Sequence, residues 1–206
     1  MAKKNHQIKN YYLLRPFKIL IAILICFMTY GCASFERVYK RMEKVNITEP
    51  NFDKITGAYE MFADVEYESE RGKKILLEVP KNSKINFYRD ITKEKIIIDS
   101  MATYTVQIDC TIDKIVFVFS KDKIAFDTIN IKGKIKKNGF YYLDNSKVYC
   151  HGVPYLLGGC QQMKIRIGLS NKGDLIVNQA YESSGALLFF FWAGEQFNTC
   201  YFFKKL

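Results

Sequence analysis

Beyond residue 6 the chain has one histidine, His151, within the stretch CHGVPYLLGGC at residues 150–160. Placed beside Cys150 and near Cys160, it invites a metal reading. Zinc asks for four ligands, commonly with Cys-x₂₋₄-Cys spacing, and that spacing is absent here. A nucleophile–base pair would also have to use His151. Asp144 and Ser146 lie close to it in sequence, but no Gly-x-Ser-x-Gly elbow is present. Carboxylate chemistry needs no histidine, and Asp109, Asp113 and Glu195 are available. Their spacing singles out none of them as an acid–base pair. The expectation is a non-enzymatic protein without a cofactor or metal.

A different kind of chemistry is written near the N-terminus. Residues 1–31 hold five basic groups (Lys3, Lys4, Lys9, Arg15, Lys18) and no acid. They precede ILIAILICFM, residues 19–28, an uncharged run of ten. That length suits the apolar core of a secretory signal, roughly 7–15 residues. A membrane-spanning helix needs about 20. The run ends in Thr29-Tyr30-Gly31-Cys32 and gives way to a charged segment. Gly31 followed by Cys32 resembles the bacterial lipobox. In that family a peptidase cuts before the cysteine, whose thiol carries a diacylglycerol. The resemblance makes Gly31 and Cys32 the cleavage pair and Cys32 the lipid attachment site. Thr29 stands where leucine is commoner, and Tyr30 is bulkier than the usual small residue. Each buried methylene contributes about 0.8 kcal/mol, so two or more acyl chains hold firmly. Neither Ala33 nor Ser34 is the aspartate that retains some bacterial lipoproteins in the inner membrane, so the resemblance implies the outer membrane. Either leaflet remains open.

Of six cysteines, Cys26 belongs to the signal and Cys32 to the anchor. Cys110, Cys150, Cys160 and Cys200 remain, in a compartment that permits disulfides. One arrangement pairs Cys150 with Cys160, closing a short loop worth about 2–3 kcal/mol, and Cys110 with Cys200. Four buried thiols are the other.

These sites need a scaffold. Residues 32–52 form an anchor and tether, in which Phe35, Val38, Met42 and Val45 recur at helical spacing among Arg37, Lys40, Arg41 and Lys44. A short helix, against the domain or on anionic lipid, is one reading; a frayed linker is another. Pro50 is expected to close the segment. From 53 to 206 the helical period disappears. ITGAYEMFADVEYE alternates at Tyr59, Met61, Ala63, Val65 and Tyr67. KILLEV, KINFY, KIIID, TYTVQIDCTI and IVFVFS follow, the last apolar enough for both faces to be covered. Turns fall at residues 120–123, at Asn138-Gly139 and at Asn171-Lys172-Gly173. The stretch 145–163 reads as irregular, and no strong helix is visible after residue 50. Leu187 to Trp192 reads as a central, doubly covered strand; the alternative is a loop that dips into lipid. About ten strands with short turns predict an all-β domain, one antiparallel barrel or sandwich.

The lipobox, Ile131-Lys132-Gly133-Lys134-Ile135 with Asn138-Gly139-Phe140, and Arg166-Ile167-Gly168-Leu169 with Gly173-Asp174-Leu175-Ile176 together resemble small uncharacterised lipoproteins of Bacteroidota. That resemblance implies an envelope address and a β-rich domain, and no activity. Gly57-Ala58-Tyr59 is faintly similar to the Gly-x-Trp opening of lipocalin-like (calycin) barrels, with tyrosine for tryptophan.

The net charge of +10 falls to +5 once residues 1–31 are set aside. No arginine-rich patch interleaved with aromatics points to nucleic acid. The expected partners are the membrane through acylated Cys32, and either a small apolar ligand in a barrel mouth or an envelope protein. The chain therefore reads as an envelope lipoprotein serving as a binding or structural module, with an interaction subunit as the alternative and a hydrolase behind both.

Overall fold

A computed structural model describes residues 33–35, 42–68, 73–111, 113–153, 157–187 and 191–206. The described residues form twelve strands: β1 (Lys44–Val45), β2 (Gly57–Glu60), β3 (Val65–Glu68), β4 (Lys73–Leu76), β5 (Tyr104–Cys110), β6 (Lys114–Lys121), β7 (Ile124–Lys136), β8 (Phe140–Leu143), β9 (Lys147–Val153), β10 (Leu157–Ser170), β11 (Leu175–Leu187) and β12 (Phe191–Phe203). They form one antiparallel sheet in the order β2-β5-β6-β7-β8-β10-β11-β12-β3-β4, with β1 and β9 also paired to β10. The protein is all-β. The ladders do not close into a barrel. The two flanks meet instead through an isolated bridge, Tyr59 to Lys205. Glu60 N–H donates to Lys204 O, and Leu206 N–H to Ala58 O, both at 2.9 Å.

Period-2 patterning sets the inner face. Val106 and Ile108 on β5, and Ile115, Phe117 and Phe119 on β6, are fully buried. Val116 and Val118 are half-buried, so β6 is covered on one face and partly on the other. The β6–β7 turn places Asp122 and Lys123 at φ 49° and 67°, the left-handed pair that a two-residue hairpin demands. Gly139 follows Asn138 at φ 73°, where a Cβ would run into Asn46.

Three expectations are corrected here. KINFY does not continue as a strand, and KIIID has no regular structure. Residues Phe87–Thr92 form helix α1, because Asn86 Oδ1 accepts from Tyr88 N–H at 2.9 Å and caps the first turn. Phe87, Tyr88 and Ile91 then fall on one buried face. The Phe87 ring lies 5.4 Å from Phe117 and 5.3 Å from Phe203. Phe87 thus ties α1 to β6 and β12 within the main core.

The tether is the second correction. Its described part is not helical: Lys44 and Val45 pair with Ser170 and Leu169 of β10. Residues 36–41 lie outside the described residues. Pro50 opens the 3₁₀ helix Glu49–Ile55 rather than ending what precedes it. Ile47 and Phe52 are core residues, and Phe52 stacks on Tyr141 at 4.6 Å.

The third concerns 145–163, which is not irregular. It supplies β9 and the first half of β10, paired from Val153–Leu157 to Lys147–Met163. Beyond Lys164 the strands β9 to β12 leave the core together as a four-stranded arm. Residues 148–152 and 193–197 are exposed without a break. Neighbours on a strand face opposite ways, so both faces of the arm's outer strands are open. Of the run Leu187 to Trp192, residues 188–190 lie outside the described residues; Leu187 ends β11 and Phe191 begins β12, and these two pair with each other. Glycines permit the tight pairing there: a Cβ on Gly159 would approach Ser184 O to 2.7 Å.

One buried charge generates a pH dependence. Asp90 in α1 is 8% exposed. Burial pushes its carboxyl up to about 6, against smaller opposing effects from Gln179, Lys93 and Arg89. The unfolded value is about 3.9. Below both values the group is protonated in either state. As pH rises through this window, the unfolded chain releases its proton more readily and the fold loses up to about 3 kcal/mol. Asp90→Asn is expected to flatten this slope and to raise stability at pH 7, read from urea unfolding at pH 4, 5, 6 and 7.

Candidate functional site

Strand β10 carries Ile165, Ile167 and Leu169 into the main core. Its alternate residues, Lys164 and Arg166, therefore emerge on the other face. Arg166 is nevertheless 0% exposed. Its guanidinium lies 4.2 Å from the Phe35 ring and 4.4 Å from the Phe140 ring. Arg166 Nε donates to Asn178 Oδ1 at 2.6 Å, and Nη1 to Tyr142 Oη at 3.0 Å. Asn178, directly opposite in register, donates in turn to Thr199 O at 2.7 Å. A second small core surrounds this group on the outer face: Met42, Phe140, Ile176, Cys200 and Phe202. Lys44 sits over the Phe140 ring at 4.9 Å. Burial first, and then the charge of Arg166, lower its pKa.

The cover over Arg166 is residues 33–35, an extended strap. Ala33 N–H donates to Gln162 Oε1 at 3.0 Å, and Lys164 Nζ donates to Ala33 O at 2.9 Å. Gln196 Nε2 donates to Ser34 Oγ at 2.8 Å, and Asn198 Nδ2 to Ser34 O at 3.1 Å. Phe35 meets Tyr142 edge-on at 5.3 Å. The strap thus crosses β10 and β12 where the arm leaves the core.

Two clefts flank the strap. One, of about 540 Å³, is lined by Lys132, Lys134, Lys136 and Lys164 with Asp113, Asp144 and Ser146. The other, of about 690 Å³, includes Phe35, Lys136, Lys137, Lys164 and Arg166. Lys132, Lys134 and Lys136 share a face because they alternate along β7. The arrangement favours anionic groups such as phosphate over a neutral substrate.

The residues singled out from sequence are scattered. Gly31 and Cys32 lie outside the described residues; Ala33, the next residue, is fixed to the sheet. Cys150 and Cys160 are disulfide-bonded across β9 and β10, with Cα atoms 4.1 Å apart. Cys110 and Cys200 are separate thiols. Cys110 lies at the end of β5, its N–H donating to Thr56 Oγ1 at 3.1 Å, whereas Cys200 belongs to the outer core. Burial pushes these thiols up to about 11 and about 12 respectively. A paired arrangement for them is thereby corrected. Asp144 and Ser146 share the first cleft with Asp113, but His151 is exposed on the arm, about 14 Å along β9 from Lys147. Asp109 is exposed on β5 and Glu195 on the arm. Among the described residues no group of three metal-ligating side chains occurs. Sequence reasoning overlooked the lysine alternation of β7 as a site, and Arg166, which reads as a solvent-facing residue of an alternating strand. No protein-family model, no curated protein and no solved structure matches the chain.

Arg166→Ala would take from Asn178 Oδ1 its buried donor and from Tyr142 Oη one of two donors, and open a gap between two phenyl rings. The expected destabilisation is about 3–5 kcal/mol, measured by urea unfolding. Susceptibility of the chain to protease near residues 33–35 should rise with it.

Proposed function

We propose that the protein is a cell-envelope lipoprotein, cleaved between Gly31 and Cys32 and acylated on Cys32. Its β-domain is a binding or structural module held at the outer membrane, not a catalyst. The order of basic residues, apolar run and Gly-Cys at positions 1–32 is what the reading rests on. The strap adds support. Ala33 is tied to Gln162 and Lys164, so the acylated residue precedes a fixed point on the sheet by one bond. The lysines of the two clefts face the same region. Near an anionic lipid surface each would contribute about 1 kcal/mol. The two clefts beside the strap offer binding on the outer face.

Replacing Cys32 with serine tests this in the natural host. Incorporation of labelled palmitate is expected to drop to background, and the wild-type mature chain should begin, by mass spectrometry, with an acylated cysteine. Undiminished label in Cys32→Ser would overturn the reading.

A further inference from the structure

We propose that the cleft of about 690 Å³ beside the strap binds the phosphate group of a small phosphate ester, with Tyr142 as its central hydrogen-bond donor. The argument starts from register. Lys134 of β7 stands opposite Tyr142 of β8, and Tyr142 stands opposite Arg166 of β10. The three side chains therefore leave the sheet on its outer face. Two positions along, Lys136 is opposite Phe140, and its Nζ lies over the Tyr142 ring, 3.9 Å from the centroid.

Tyr142 Oη already accepts twice. Arg166 Nη1 donates to it at 3.0 Å and Asn138 Nδ2 at 2.7 Å. Phe140 N–H donates to Asn138 Oδ1 at 3.4 Å, which turns the amino end of that amide toward Tyr142. A phenolic hydroxyl both accepts and donates. Among the described residues nothing accepts from this one, so its proton is turned away from both donors. The guanidinium charge polarises the O–H and strengthens it as a donor. A hydroxyl held in this way is suited to an anionic acceptor.

The cleft supplies the charge. Its lining holds Lys136, Lys137, Lys164 and Arg166 and no carboxylate, unlike its neighbour, which contains Asp113 and Asp144. Lys164 has three N–H donors and uses one on Ala33 O. Donors thus converge from β7, β8 and β10. A carboxylate offers two oxygens, whereas a phosphate monoester offers three on a nearly doubly charged group. The volume lies within the range of small-ligand sites, and Phe35 and Ile135 give the rest of such a molecule apolar surface. As the ligand of the binding module proposed above, the ester rests on that reading; the site itself needs neither cleavage nor acylation of the chain.

The full chain, produced in its host and extracted in dodecyl maltoside, is titrated with glycerol 3-phosphate, and binding is read from the phosphorus-31 line width. Saturable binding is expected. Lys136→Gln should weaken it about tenfold, and Tyr142→Phe at least as much. Lys123→Gln makes the same charge change about 40 Å away along β7 and should alter binding less than about twofold. Urea unfolding checks each variant; Lys136 is exposed, so Lys136→Gln carries the test if Tyr142→Phe loosens the fold. Binding that does not saturate, full-strength binding in Lys136→Gln or in folded Tyr142→Phe, or an equal loss in Lys123→Gln would overturn the proposal. Competition identifies the source of the phosphate. Dihexanoyl phosphatidic acid that displaces glycerol 3-phosphate at a lower concentration than the latter needs to bind supports a lipid headgroup; weaker or no displacement supports a soluble ester. Mass spectrometry of the same sample reads Cys32. An acylated chain that does not bind overturns this inference alone, and an unacylated chain that binds overturns only the lipid-anchor reading.

Discussion

Strand β10 is where the structure is decided. Its inner residues, Ile165, Ile167 and Leu169, sit in the aromatic core. Its outer residue Arg166 is buried as completely as they are. Removing a guanidinium from water costs several kcal/mol, and hydrogen bonds to its edge and rings against its faces offset that cost. Asn178 and Tyr142 serve the edge, and Phe35 and Phe140 the faces. Phe35 belongs to the strap, Phe140 to β8 and Asn178 to β11. One buried cation therefore couples the N-terminal segment, a short inner strand and a long hairpin. The same strand then runs on past Lys164 to carry the arm. Core, strap and arm share a single register, so a slip of one residue on β10 would expose the isoleucines and bury Lys164.

Much of the sheet was legible in the sequence. Alternation along 104–110 and 115–120, the left-handed turn at Asp122-Lys123 and the Asn138-Gly139 hairpin all carry local signals strong enough to survive folding. What was not legible arises where a local signal is ambiguous or a contact is distant. KINFY satisfies a strand pattern, but Asn86 supplies a cap and tertiary burial of Phe87 and Ile91 selects a helix. Gly152, Pro154 and Gly158-Gly159 dilute the β-propensity of residues 145–163 until that stretch resembles a loop. The outer core unites Met42, Phe140, Ile176, Cys200 and Phe202, residues with no common periodicity. For the same reason Arg166 offered no sign of its burial, and the separation of Cys110 from Cys200 none of its two environments.

Fixing the strap changes what a lipid anchor can do. A flexible linker of n residues lets its ends wander by about 5–6 Å × √n. On the proposed reading the acylated residue has one Cα–Cα step of freedom, about 3.8 Å, before the sheet. Two acyl chains on a long tether give an address. On that reading, the same chains next to Ala33 would also give an orientation, because Ala33 and Ser34 are hydrogen-bonded to β10 and β12.

The disulfide takes its meaning from that geometry. Sheets are held largely by cross-strand side-chain pairs, and the arm is poor in them: Gly152 faces Gly158, Gly159 faces Gly185, and Ser184 faces Gly194. β9 also has no second neighbour on its outer side among the described strands. An edge strand with few side-chain pairs would fray first. Cys150 and Cys160 stand opposite each other in that weak stretch and join β9 to β10. A covalent link here replaces the packing that glycine forgoes.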